Sequence, residues 1–296
     1  MKIGIMIAAT KESGDIAEIA REVENLGYES FFIPEHPVIP IGFKTPLPYG
    51  GGGGELPEHY GRWMDPFVAL SVAAAVTKRV KLGTGICLLP EREPIITAKT
   101  LATLDLISGG RVILGVGAGW LREETEAIGL TSFGMRWKRL RETVEAMRVL
   151  WTEKEPSYQG ELIKFAPVRC DPKPIQKNGP PILLGARGGK TLERVARTYD
   201  GWAPLAGKPS SFKRDIEEMR KVASEHGRDP KTLSVTGFVG PHDDGISSDD
   251  LKGYQDAGAE RLILFSQTDA IKMAAGQTLA IVRRLAPTVE RAAKLN

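Results

Sequence analysis

The chain carries four histidines, His36, His59, His226 and His242, and their spacing decides what chemistry they can do. No HxH or HExxH pair places two imidazoles on one metal ion, so a metal centre is not expected. No Gly-x-Ser-x-Gly elbow presents a serine nucleophile. The two cysteines, Cys87 and Cys170, lie far apart and form no CxxC pair, which leaves neither a zinc site nor a redox motif. His36 stands out by position. It follows Ser30-Phe31-Phe32-Ile33-Pro34-Glu35, an apolar run that reads as a strand. An imidazole there can give or take a proton near neutral pH, the competing reading being a loop histidine held by a hydrogen bond. His226, beside Gly227, reads as the end of a surface helix.

Two glycine-rich segments also follow apolar runs. Gly185-Ala186-Arg187-Gly188-Gly189-Lys190-Thr191 opens a helix, where bare backbone N–H groups favour a phosphate and Arg187 and Lys190 add positive charge. A tight turn with solvated charges is the alternative. Gly115-Val116-Gly117-Ala118-Gly119-Trp120 departs from the dinucleotide fingerprint G-x-G-x-x-G, so by itself it identifies nothing.

These residues must be positioned by an alternation of short apolar strands and amphipathic helices. Strands read at 3–7, 30–34, 80–89, 112–117, 182–185, 200–204, 233–239 and 261–266. Helices read at 15–27, 66–77, from Pro94 to Gly109-Gly110, through Trp137, Leu140, Val144, Met147 and Trp151, and at 190–199, 211–226, 248–257 and from about 270. Strands that are apolar throughout are buried on both faces, as in a parallel sheet. Eight such units favour a closed (β/α)8 TIM barrel with insertions over an open doubly wound sheet. The whole chain, 1–296, reads as one domain of this kind. The strand ending near Ile33 then delivers His36 to the C-terminal rim, the catalytic face of such barrels.

Two segments interrupt the alternation. Residues 35–65 hold Pro37, Pro40, Pro46, Pro48, Pro57 and five consecutive glycines, Gly50 to Gly54, and read as a long loop at the rim, a candidate mobile lid over 42–58. Residues 153–181 form a second excursion, with a polar hairpin-like stretch at about 155–170.

Composition narrows the function classes. The net charge is +3, with Lys and Arg dispersed, so nucleic acid is not an expected partner. No apolar run approaches the ~18 residues of a membrane span, and the N-terminal run is too short for a signal segment, so a cytoplasmic location without a membrane partner is expected.

Several segments together resemble the luciferase-like monooxygenase superfamily, in particular its coenzyme F420-dependent oxidoreductase branch. They are Arg79-Val80-Lys81-Leu82-Gly83-Thr84-Gly85, Ala98-Lys99-Thr100-Leu101-Ala102-Thr103-Leu104-Asp105, Ser108-Gly109-Gly110-Arg111 running into Gly115 to Trp120, and Asp200-Gly201-Trp202. With the order of the units, the similarity covers nearly the whole chain and is weakest in 35–65 and 240–296.

The resemblance implies a luciferase-like barrel, usually a homodimer, with a flavin or deazaflavin ring at its C-terminal face. It places His36 at the ring as the catalytic residue, with Glu35 where the family carries Asp. It puts Gly85-Ile86-Cys87 at a bulge behind the ring, with a non-proline cis peptide at Gly85–Ile86. It puts Ala118, Gly119 and Trp120 where cofactor or substrate is met, and Gly185 to Thr191 at the cofactor phosphate. A glucose-6-phosphate dehydrogenase of this family has a catalytic Glu at the position of Trp120, so that substrate is not expected here. The leading expectation is hydride transfer between coenzyme F420 and a small organic substrate. The alternatives are an FMN-dependent monooxygenase and a non-catalytic flavin-binding protein.

Overall fold

The computed structural model describes residues 1–47 and 55–295. Eight parallel strands close into a barrel: β1 (Lys2–Met6), β2 (Ser30–Ile33), β3 (Lys81–Thr84), β4 (Val112–Val116), β7 (Ile182–Leu184), β8 (Gly201–Trp202), β9 (Ser234–Val239) and β10 (Arg261–Leu264). β1 pairs with β2 on one side and with β10 on the other, Ile5 lying opposite both Phe31 and Leu264, and this closes the ring. The expected (β/α)8 TIM barrel is the observed architecture. The remaining pair, β5 (Tyr158–Gln159) and β6 (Lys164–Phe165), is an antiparallel hairpin inside the 153–181 excursion.

The strand centres are apolar because they are buried on two sides. Met6, Phe32, Ile113, Leu183, Ala203, Phe238 and Ile263 fill the barrel interior. Neighbours on the same strands, such as Ile5, Phe31, Leu82, Leu114 and Leu184, face the helices. Gly83 makes this possible at one point: a Cβ there would stand 2.4 Å from the Phe32 ring.

The helices form the outer layer. They are α1 (Ile16–Asn25), α2 (Pro66–Val76), α3 (Pro94–Ser108), α4 (Arg122–Ile128), α5 (Arg136–Thr152), α6 (Thr191–Thr198), α7 (Pro209–Glu225), α8 (Ser248–Ala257), α9 (Gln267–Lys272), α10 (Thr278–Leu285) and α11 (Pro287–Ala293). Their ends follow local chemistry. Asp65 caps α2 by accepting from the Phe67 and Val68 amides, and Pro66 occupies the first turn, where a missing N–H costs nothing. Pro94 opens α3, and Gly109, at φ +72°, ends it in the left-handed conformation.

The largest differences from the sequence reading lie in two strands and one missed helix. The strand expected at 80–89 ends at Thr84. The chain leaves the ladder at Gly85, touches β4 again only where Cys87 bridges Val116, and turns at Leu89–Glu91. Leu88 and Leu89 are apolar because they are buried, not because they belong to a strand. The strand expected at 200–204 is regular only at Gly201 and Trp202; Asp200 and Ala203 still bond β7, and Pro204 accepts from the Phe238 amide but has no N–H of its own to extend the ladder. The helix α4, only seven residues long, is too short for its periodicity to show. The lid expected over 42–58 lies in part, at 48–54, outside the described residues.

Candidate active site

The site is built where β2, β3, β4 and β7 end. Just past β2, Glu35 and His36 enter a polar cluster. Glu35 is buried and fully engaged: Oε2 accepts from the Leu88 amide at 2.7 Å and Oε1 from Arg92 Nε at 2.7 Å. Arg92 also reaches Asp65 Oδ2 at 2.6 Å, tying the rim to the start of α2. Glu35 therefore braces the backbone that carries His36.

His36 Nδ1 lies 2.7 Å from Oε2 of Glu124, a carboxylate on α4 with no solvent exposure. Paired with a carboxylate, Nδ1 carries the ring hydrogen and leaves Nε2 as the basic nitrogen. Around the imidazole stand Trp63 at 5.5 Å, Tyr60 at 5.7 Å and Trp120 at 6.1 Å between ring centroids, with Phe43 behind Trp120. Among the described residues, His59 Nε2 and Trp63 Nε1 are buried there without a hydrogen-bond partner, and burial holds His59 below its ordinary pKa. The wall around the imidazole is thus largely aromatic.

The floor comes from the β3 bulge. The Gly85–Ile86 peptide is cis. Ile86, half-buried, occupies space that a Cβ on Gly117 or Gly185 would invade, at 2.1 and 2.5 Å. Cys87 is buried, and its backbone pairs with Gly115 and Gly117, so it fixes the bulge. Ala118 is buried beside the turn at Gly119, which has φ +78°, and Trp120 is half-buried.

The segment Gly185 to Thr191 lies across the mouth from His36. Gly188 and Gly189 have φ of +73° and +52°, and a Cβ on either would meet nothing within 4 Å. Among the described residues, no backbone N–H from Ala186 to Lys190 has a protein partner. The Ala186 carbonyl is held by Trp202 Nε1 at 2.8 Å. Arg187 turns toward α7, bonding the Leu205 carbonyl at 3.1 Å and pairing with Asp215, while Lys190 caps α6 with its side chain exposed.

His36, Glu35, Gly85 to Cys87, Ala118 to Trp120 and the 185–191 loop are therefore all strand-end residues of one barrel face. Glu124, Glu91, Arg92 and Tyr60 belong to the same cluster and carried no sequence signal. Glu124 sits in a Glu-Glu pair that reads as a solvated helix face. A separate groove of about 840 Å³, lined by Arg220, Lys231, Ser234 and Glu260 among others, opens at the opposite, N-terminal end of the strands. That end of a barrel serves stability rather than chemistry. Among the described residues no helix is long and apolar enough to cross a membrane, and no group of three or more His, Cys, Asp or Glu is arranged to hold a metal ion.

Comparison with known proteins places this arrangement. An uncharacterised protein of Mycobacterium tuberculosis is 35% identical over 287 residues, 97% of this chain and 98% of the relative. The solved structure of monooxygenase RslO1 from Streptomyces bottropensis is similar with a TM-score of 0.67 at 26% identity, covering 99% of this chain and 82% of that one. The coenzyme F420 dependent tetrahydromethanopterin reductase from Methanopyrus kandleri gives a TM-score of 0.70 over 97% of this chain and 99% of that one. At 19% identity, that likeness is one of fold. Residues 1–244 match the luciferase-like monooxygenase family, and the chain belongs to that family of oxidoreductases and monooxygenases.

Proposed function

We propose that this chain transfers a hydride between coenzyme F420 and a small organic substrate, with His36 handling the accompanying proton. The observation that carries the reading is the His36–Glu124 pair at the catalytic rim. When a hydride joins or leaves a carbon bearing oxygen, a proton must join or leave that oxygen. An imidazole backed by a buried carboxylate serves as that acid or base. Coenzyme F420 supplies the hydride chemistry.

The residues present fit such a group. The unpaired N–H groups of Ala186 to Lys190, at the start of α6, suit a phosphate, and the half-buried Ile86 offers an apolar support for a planar ring. Gly85, Ala118, Gly119 and Trp120 complete the proposed cofactor contacts, and Thr191 closes the loop by bonding the Gly188 carbonyl at 2.7 Å. The same loop suits the phosphate of FMN. An FMN-dependent monooxygenase is the second reading, and the likeness to the monooxygenase RslO1 supports its oxygenase part. The aromatic wall suits an uncharged organic substrate.

The proposal includes a homodimer. α2 has no charged residue along its length, and it packs against α3. Val68 and Ile96 on these helices are 67% and 65% exposed. A helix that is apolar all round belongs in an interior, so a second copy of the chain is the expected cover. Sedimentation at micromolar concentration checks it, and a monomer would remove this part.

Absorbance titration of the purified protein with F420 and with FMN tests the main reading. Tight F420 binding, followed by oxidation of reduced F420 with a carbonyl acceptor, is expected. Binding of FMN alone would replace it with the monooxygenase. Tight binding without turnover on any acceptor would make the chain a cofactor-binding protein.

A further inference from the structure

Glu91 ends the turn that follows the bulge and is 5% exposed. Around it stand two other carboxylates, two guanidiniums and one imidazole. Arg92 pairs with Glu35 and His36 with Glu124, and among the described residues no cation pairs with Glu91. Among the described residues its Oε2 is buried without a partner. Its Oε1 lies 2.8 Å from Thr125 Oγ1, and that same oxygen lies 3.3 Å from the Leu121 carbonyl.

A hydroxyl has one hydrogen to give, and that of Thr125 goes to Oε1. Oε2 is left with no donor among the described residues, so an ionised Glu91 would bury its charge on a single hydrogen bond, whereas a neutral acid buries no charge and its unpaired oxygen costs far less. Burial and the neighbouring Glu124, with a smaller push from Glu35, raise Glu91 to about 8 against the opposing bond from Thr125.

We propose that Glu91 is a buried carboxylic acid that tunes the His36–Glu124 pair. Neutral, it leaves Glu124 to interact with His36 alone. Ionised, it adds a second negative charge beside Glu124 and holds a proton on the imidazole. It is a positioning residue and acts through Glu124. The titratable and charged groups around it are Glu124 on α4, Glu35 and His36 past β2, and Cys87 and Arg92 on its own segment. Arg139 on α5 adds a cation that bonds the Pro90 and Arg92 carbonyls at 3.0 and 3.4 Å. The consequence for turnover rests on the function proposed above, whereas the coupling itself does not.

The test uses the intact wild-type protein and the isosteric Glu91→Gln variant. Infrared spectra of the wild type at pH 7 should show a protonated carboxyl band that fades near pH 8 and is missing from the variant. The His36 imidazole resonance should show a second inflection near pH 8 in the wild type and none in Glu91→Gln. Absence of the band from the wild type, or its persistence in the variant, overturns the neutral acid. An identical His36 titration in both proteins overturns the coupling. These readouts need neither cofactor nor substrate, so they stand or fall apart from F420 chemistry. In turnover, the variant should lose an alkaline limb near pH 8 from its kcat/KM profile.

Discussion

Nδ1 of His36 and Oε2 of Glu124 stand 2.7 Å apart although 88 residues separate them in sequence, and α4 supplies the carboxylate from a position with no solvent exposure. Orientation and tautomer of the imidazole are thereby set from the protein side. His36→Ala is expected to keep the fold and most cofactor affinity while lowering turnover by about 10²–10⁴-fold, the usual contribution of general acid–base assistance. Glu124→Gln offers the ring an amide instead of an acceptor-only group, and should lose about 10²-fold or more without loss of cofactor binding. Thermal melts, cofactor titration and turnover measured together check this. Full turnover in cofactor-loaded His36→Ala would remove His36 from the chemistry.

One residue earlier, Glu123 fastens the long β2 loop. Its carboxylate accepts from the Lys44 amide at 2.7 Å, the Thr45 amide at 3.2 Å and the Thr45 hydroxyl at 2.6 Å. The Thr45 hydroxyl and the two amides pull its pKa down to about 2. A carboxylate with a depressed folded value stabilises above its unfolded pKa, about 4.3, and that contribution disappears as pH falls through the folded one. The clasp should therefore be intact at pH 5 and above and weaken between about pH 4 and 2. Hydrogen exchange at the Lys44 and Thr45 amides reads it. Glu123→Ala should abolish their protection at pH 7, and unchanged protection would show that the loop is held elsewhere.

Arg111 belongs to a segment that resembles the family, yet its role is architectural. Its buried guanidinium donates to the Ala74, Thr77, Val80 and Ser108 carbonyls and to the Thr77 hydroxyl, all within 3.1 Å. It thus gathers the carbonyls at the ends of α2 and α3, which a helix terminus leaves unpaired. Lysine carries the charge without the planar fork. Arg111→Lys should cost about 2–4 kcal/mol, visible as a lowered Tm, with the cofactor constant of the folded protein unchanged. A Tm within a degree of wild type would show that the carbonyls find other donors.

What could be read from the sequence follows the same division between local and non-local causes. Apolar strands, Pro94 at one helix start and Gly109 at its end act within a few residues, so the barrel was legible. The place of His36 at the rim was legible because it follows a strand directly. Glu124 and Glu91 were not, since a buried acid and a solvated one look alike until folding sets the neighbours. Arg187 shows the reverse case: its loop carries bare amides as expected, but Asp215, 28 residues on, takes its guanidinium.

Glu91 also leaves a mark on stability that can be measured without any ligand. Its folded pKa, about 8, lies above the carboxylate reference of about 4.3. Between these values the folded chain binds more protons at this site than the unfolded chain. Stability must then fall as pH rises through that window, the opposite of an ion-paired acid. Burial, the first cause of the shift, disfavours the charged form, and the adjacent Glu124 adds repulsion. Glu91→Gln removes the titration but keeps the volume. At pH 5 the two proteins should be close in Tm, the variant no more stable than wild type. By pH 8.5 the variant should gain, relative to wild type, on the order of 1–3 kcal/mol, seen as a few degrees in Tm. The measurement is a series of thermal melts of both proteins from pH 5 to 8.5. Parallel curves would mean that Glu91 is ionised across the whole range and that its charge is compensated within the fold.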